Sequence, residues 1–155
     1  SGYSTTIHWH NPMTVMVAKT TMKGRRRRSR RRIEALATNN CVCTMDANPT
    51  IGGKNKGFRP MDLLAGSLVG CISIDVISIL NKKRIEPELY RMNVIGNRDE
   101  TVPNAFNSFE IELVIDKSID KTLLEKTVGL VIKKYCSVAA SLRDDIRIDF
   151  KIVQQ

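Results

Sequence analysis

A long apolar segment in the middle of the chain limits the possible folds more than any other feature. Residues 63–80 carry a single charge, that of Asp75. Pro60 suits the first position of a helix, and the Asp62 carboxylate in the first turn complements the helix dipole. We therefore predict a helix over Pro60–Asn81, about 33 Å long at about 1.5 Å per residue. Because it is apolar on nearly every face, it should be surrounded by protein.

The same segment has the length of a short membrane-spanning helix. Its small and polar residues and the amphipathic character of the rest of the chain argue against that interpretation. These residues are Gly66, Ser67, Gly70, Ser73 and Ser78. We expect a buried central helix and no contact with a membrane.

The remaining patterns alternate between strands and helices, so the predicted fold class is α+β. A length of 155 residues with 42% hydrophobic content suits one domain over residues 1–155, or one half of an obligate dimer. The predicted strands are Thr5–His10, Met13–Lys19, Cys41–Asp46, Leu89–Arg98, Phe106–Asp116 and Ile146–Ile152. A helix capped by Asp120 is predicted to run to Tyr135, and a short helical piece covers Ser137–Arg143.

The strong positive charge of the chain is local. The net charge is +9, and seven of the arginines lie in Arg25–Arg32, so the rest carries 9 − 7 = +2. We interpret residues 21–40 as a long hairpin loop or a disordered insertion, part of which can also form a short helix through Ile33, Leu36 and Ala37. The charge is therefore not that of a nucleic-acid-binding domain as a whole.

Four cysteines are too few and too unevenly spaced for a disulfide-stapled secreted scaffold. They are Cys41, Cys43, Cys71 and Cys136. No apolar signal segment opens the sequence, so we expect a cytoplasmic protein in which a disulfide is transient.

Cys71 and Cys136 are the candidate functional cysteines. Cys71 lies in the predicted central helix beside Gly70, where small neighbours let a substrate approach the sulfur. Cys136 follows Lys133 and Lys134 and opens a short helix, a setting that stabilises thiolate over thiol. The alternative for both is a buried cysteine that only packs.

Two segments resemble the OsmC/Ohr family. The first, PMDLLAGSLVGC from Pro60 to Cys71 with its continuation to Leu80, is similar to the central helix of the family. The second, KYCSVA around Cys136, is similar to its second cysteine motif. The separation, 136 − 71 = 65 residues, also resembles that of the family. The similarity extends over residues 41–153 and is strongest to the YhfA-like branch.

The resemblance implies an OsmC-like α+β fold, with antiparallel sheets wrapped around two long central helices in an intertwined homodimer. It implies a peroxidase that needs no cofactor, with Cys71 and Cys136 as the catalytic pair. Cys71 would attack an organic hydroperoxide or hydrogen peroxide, and Cys136 would resolve the product to a disulfide that an external dithiol reduces.

The sequence departs from the family pattern at the acid–base partners of the cysteine. Family peroxidases use a glutamate and an arginine there, whereas the matching acid in this chain is Asp62. Nine residues before Cys71, it is half a turn out of phase on a helix, so we interpret it as an acid of the first turn. Arg59 lies near the helix start, but no motif identifies it as the arginine.

Other functions are less well supported by the sequence. Cys41 and Cys43 share a strand face but lack a second ligand pair, and His8 and His10 are interpreted as ordinary strand residues, so no metal site is predicted. The alternative function is a non-enzymatic OsmC-like binding protein whose basic loop contacts nucleic acid. We do not expect this, because few aromatic residues accompany the arginines. A third possibility is a carrier of small molecules or acyl groups in an apolar dimer cleft.

Overall fold

The chain forms two compact units, each with a sheet of its own. They are Ser1–Leu63 and Leu64–Gln155. The computed structural model describes residues 3–5, 16–20, 32–37 and 41–155. The single domain expected over residues 1–155 stays a prediction.

The first unit contains a four-stranded antiparallel sheet whose strands lie side by side in chain order. Its strands are β1 (Tyr3–Thr5), β2 (Met16–Thr20), β3 (Arg32–Ala37) and β4 (Val42–Asp46). The strand predicted over Cys41–Asp46 is confirmed as β4, and β2 overlaps the strand predicted over Met13–Lys19. β1 ends at Thr5, and the rest of the strand predicted to His10 lies outside the described residues.

β3 falls inside residues 21–40, for which the sequence predicts a hairpin loop or an insertion. Its neighbours β2 and β4 pair with it on both sides, and Ala35 is buried between them. The short helix proposed there is therefore wrong for the described part of this stretch. Pairing with strands on both sides outweighs the weak local preference for a helix.

The loop after β4 is folded around one carboxylate. Asp46 accepts hydrogen bonds from the backbone N–H groups of Ala47 (2.8 Å), Lys54 (2.9 Å) and Lys56 (3.0 Å). The backbone of Lys56 is the largest contributor that lowers the pKa of Asp46, followed by that of Lys54. A Cβ at Gly53 would overlap the Ala47 carbonyl, so the loop needs glycine there.

The helix predicted over Pro60–Asn81 is confirmed as α1 (Pro60–Lys82). One side of it is buried in a row at intervals of three and four residues, as expected for a helix packed on a core. The row is Ala65, Leu68, Ile72, Val76 and Leu80. On the other side Ile74 is 72% exposed, so the described part of the second unit leaves this side of the helix open. Among the described helices, α1 is the one long and apolar enough to span a membrane by length and composition.

The second unit contains a three-stranded sheet in the order β5-β6-β7. Its strands are β5 (Tyr90–Arg98), β6 (Phe106–Ile115) and β7 (Arg147–Gln154). They confirm the strands predicted over Leu89–Arg98, Phe106–Asp116 and Ile146–Ile152. The Ser73 hydroxyl of α1 donates to Met92 of β5 (3.6 Å), so α1 contacts the sheet.

The direction of one strand pair differs from the expectation. β5 and β6 are antiparallel, but β6 and β7 are parallel, from Ser108 opposite Arg147 to Ile115 opposite Gln154. A helical connection between β6 and β7 returns the chain to the start of β6, which a parallel pair requires. The predicted α+β class is confirmed, whereas the prediction of antiparallel sheets is wrong for the pair β6 and β7.

The helical connection begins at Asp120, whose carboxylate caps α2 (Lys121–Leu130) by accepting the N–H of Leu123 (2.7 Å). The cap is confirmed, but the helix predicted to Tyr135 changes character before that residue. After α2 comes a π-helical turn over Val131–Tyr135.

Cys136 separates the π-helical turn from α3 (Ser137–Ala140). Its N–H donates to the Val131 carbonyl, five residues back (2.9 Å). The predicted piece over Ser137–Arg143 is therefore present as a shorter helix. Cys136 and Ser137 therefore lie where a π-helical turn meets a short α-helix. π-helical turns are frequent at functional sites.

Candidate active site

Cys71 lies at the midpoint of α1, eleven residues from Pro60 and eleven from Lys82. Its side chain is half-buried. The Sγ atom is 3.9 Å from the hydroxyl oxygen of Ser137, the first residue of α3. The two cysteine motifs, far apart in sequence, therefore meet in the second unit.

Cys136 lies on the α3 side of this meeting point and is only 2% exposed. It is the N-cap residue of α3, and its Sγ accepts a hydrogen bond from the N–H of Ala139 (3.3 Å). Sulfur here occupies the capping position that serine or aspartate oxygen usually takes. The cap holds the Cys136 sulfur against the first turn of α3.

Hydrogen bonds make Cys71 the more acidic thiol. Its burial acts to raise the pKa, but hydrogen bonds outweigh burial and the pKa of Cys71 is lowered overall. The largest of these contributions is from the backbone of Val138, followed by the Cys136 side chain and by Ser137. Groups that donate to sulfur stabilise the thiolate, which is the nucleophilic form of cysteine.

Cys136 has the opposite character. Burial raises its pKa to about 11, and the neighbouring Cys71 sulfur adds to the rise. The lowered pKa that the sequence predicted for Cys136 is therefore wrong. Burial dominates at Cys136, while Lys133 and Lys134 are exposed.

Asp62 and Arg59, which the sequence does not assign as acid–base partners of Cys71, lie in the first unit. Asp62 is exposed in the first turn of α1, a position that suits its predicted role as an acid at a helix start. The Arg59 guanidinium donates to the side-chain oxygen of Asn55 (2.7 Å), which anchors Arg59 to the loop that precedes α1.

The remaining candidates do not form a site within the described residues. Cys41 is exposed, and Cys43 is half-buried opposite Ala35 of β3. No group of three or more His, Cys, Asp and Glu side chains in the described part of the chain could hold a metal ion. His8, His10 and all of the arginine run except Arg32 lie outside the described residues.

Ser137 is the residue that sequence reasoning did not single out. Ser137 belongs to the motif around Cys136, and the resemblance implies no role for it. The sequence signal for Ser137 is its position directly after Cys136 at a predicted helix start, where a serine hydroxyl is well placed to form hydrogen bonds. Its contact with Cys71 depends on the packing of α3 near α1, which no local pattern reveals.

Comparison with known proteins points to one family. A family model described as OsmC-like protein matches residues 53–151. Protein YhfA of Escherichia coli (strain K12) is 28% identical over 95 residues, which cover 61% of this chain and 71% of YhfA.

Solved structures share the fold at low sequence identity. An OsmC-like protein of unknown function from Vibrio cholerae O1 biovar eltor matches with a TM-score of 0.74 at 16% identity, covering 91% of this chain and 100% of that chain. An organic hydroperoxide resistance protein from Legionella pneumophila matches with a TM-score of 0.64 at 14% identity, covering 92% of this chain and 98% of that chain.

Proposed function

Because the chain belongs to the OsmC-like protein family, we propose that it is a thiol-dependent peroxidase acting on organic hydroperoxides or hydrogen peroxide. The observation that carries this proposal is the unequal pair of thiols. Cys71 is half-buried with a lowered pKa, and Cys136 beside it is buried with a pKa of about 11. The name of the Legionella pneumophila protein, an organic hydroperoxide resistance protein, supports a peroxide as substrate.

In the first step the Cys71 thiolate attacks the terminal oxygen of the peroxide. An S–O bond forms and the O–O bond breaks, so Cys71 becomes a sulfenic acid. The leaving alkoxide takes a proton and departs as an alcohol, or as water when the substrate is hydrogen peroxide. The half-buried sulfur suits this step because it is accessible, whereas Cys136 is covered.

In the second step the Cys136 sulfur attacks the sulfur of the sulfenic acid. An S–S bond forms, the S–O bond breaks, and hydroxide leaves as water after taking the thiol proton. The high pKa of Cys136 means that this thiol keeps its proton until the sulfenic acid is present. An external dithiol then reduces the disulfide by exchange and is itself oxidised. We place the protein in the cytoplasm, where such reductants are available.

We also propose that the working form is an intertwined homodimer. Ile74 is largely exposed, and it lines a shallow depression of about 600 Å³ with Ile77, Ser78, Asn81 and Lys82. An exposed apolar surface on a long helix is typical of an interface. A second copy of α1 would cover this surface.

The test of the peroxidase proposal is the consumption of tert-butyl hydroperoxide and of hydrogen peroxide with dithiothreitol as the dithiol. We expect turnover by the parent protein and none by Cys71→Ser, because serine supplies no thiolate. Cys43→Ser is the matched control, since Cys43 is also half-buried, and its turnover should equal that of the parent.

Cys136→Ser distinguishes the two roles. One equivalent of peroxide should convert Cys71 to the sulfenic acid, and further peroxide should add a second oxygen, since no resolving thiol remains. Mass spectrometry of the Cys71 peptide measures both products. Peroxide consumption by Cys71→Ser at the parent rate, or oxidation confined to Cys41 and Cys43, would refute the assignment.

A further inference from the structure

The contact between Ser137 and Cys71 suggests a role for a residue that the redox chemistry does not itself require. The Ser137 hydroxyl oxygen lies 3.9 Å from the Cys71 sulfur, within hydrogen-bonding range for sulfur. Ser137 follows Cys136 directly in the chain. The residue next to one cysteine of the pair therefore touches the other.

We propose that Ser137 is a positioning residue for Cys71, whose hydroxyl donates a hydrogen bond to the thiolate and holds it in the reactive orientation. This inference rests on the proposed function, in which Cys71 is the attacking sulfur. When Cys71 is a thiol, either group can be the donor. Once Cys71 is ionised, its sulfur can only accept, so the hydroxyl must donate.

The backbone of Val138, the Cys136 side chain and the backbone of Ser137 also lower the pKa of Cys71. The N–H of Ala139 is already bonded to the Cys136 sulfur (3.3 Å). The Cys136 thiol can donate to Cys71 only while it holds its own proton, and it gives up that proton when the disulfide forms. Among the side chains that stabilise the thiolate, Ser137 therefore keeps its donor throughout the cycle.

Backbone contacts hold the Ser137 side chain at this position. The Ser141 hydroxyl donates to the Ser137 carbonyl (2.8 Å), and the Ala140 N–H donates to the Cys136 carbonyl (3.0 Å). These bonds order the first turn of α3 without contacting the Cys71 sulfur. They also provide a control, because a substitution at Ser141 loosens α3 and leaves the Ser137 hydroxyl in place.

The test is the pH dependence of alkylation of Cys71 by iodoacetamide, measured on the Cys71 peptide by mass spectrometry. Hydrogen bonds to charged groups are among the stronger ones, but Ser137 is exposed and water competes. We expect Ser137→Ala to raise the midpoint of the profile by about half a pH unit to one unit. Ser137→Gly, which removes the same hydroxyl, should give a similar rise.

Two further variants separate the hydroxyl from the fold of α3. Ser137→Thr keeps a hydroxyl and should restore the parent midpoint, and Ser141→Ala should leave it unchanged. An unchanged midpoint in both Ser137→Ala and Ser137→Gly, or an equal rise in Ser141→Ala, would overturn the inference. Because alkylation needs no peroxide, a protein without peroxidase turnover that still shows the Ser137 shift would refute the proposed function alone.

Discussion

At the scale of single residues, the surroundings of the two cysteines decide their chemistry. Both sulfurs lie near the first turn of α3, but Cys71 receives hydrogen bonds that outweigh its burial, whereas burial prevails at Cys136. Residue type cannot distinguish them, because both are cysteines. Accessibility and acidity together support the proposed role of Cys71 as the attacking sulfur.

This difference predicts an order of reaction with iodoacetamide in the parent protein. The thiolate is the reactive form, so a lowered pKa raises the reactive fraction at a given pH and a raised pKa lowers it. At pH 8, Cys71 should be alkylated at least about tenfold faster than Cys136, whose pKa is about 11. Peptide mass spectrometry over time measures both rates. Faster labelling of Cys136 would contradict the assignment of roles.

At the scale of elements, the loop between β4 and α1 depends on Asp46. Three backbone N–H groups converge on its carboxylate, from Ala47, Lys54 and Lys56. They lower its pKa below the usual value of 3.8. Hydrogen bonds to the ionised form therefore stabilise the folded loop most at pH values above the pKa of the free carboxylate.

The sign of this shift predicts how the loop responds to acid. The stabilisation from Asp46 is fully present above about pH 4 and is lost as the pH falls through the lowered pKa of the folded state. Hydrogen exchange at the Lys54 and Lys56 amides should therefore lose protection in that acid range.

Asp46→Asn should lose the same protection already at neutral pH, because an amide has one acceptor oxygen and cannot ionise. Asp144→Asn, a change at an exposed carboxylate in the second unit, is the control and should leave these two amides protected. Equal protection in the parent and in Asp46→Asn at neutral pH would show that the loop is held by other contacts.

At the scale of the whole molecule, α1 has more apolar surface than the described residues of the second unit cover. Its buried row faces the core, while Ile74 remains largely exposed. Burying such a surface is favourable by about 25 cal/mol per Å². In the proposed homodimer, a second copy of the chain buries this surface.

Ile74→Glu tests this assembly. A carboxylate at the centre of an apolar interface loses its hydration without a partner, so the variant should sediment as a monomer at micromolar concentration. Ile95→Glu is the matched control, because Ile95 is 62% exposed on β5 and should tolerate the charge. Parent protein that sediments as a stable folded monomer at micromolar concentration would refute the homodimer.

Most element positions could be predicted from local patterns. Pro60 and the apolar run after it predicted α1, Asp120 predicted the start of α2, and the alternation from Phe109 to Ile115 predicted β6. Such signals are local because capping and the periodicity of burial involve residues within a few positions of one another. The two cysteine motifs were likewise visible in the sequence.

Local patterns are enough for most element types and for the two cysteines, whereas folding decides how these parts are used. The parallel pairing of β7 with β6 and the strand Arg32–Ala37 depend on neighbours distant in the chain. So do the contact of Ser137 with Cys71 and the reversal of the expected acidities. The physical reason is the same in each case: pairing direction, burial and hydrogen bonds to a sulfur depend on atoms that only folding brings within a few ångströms.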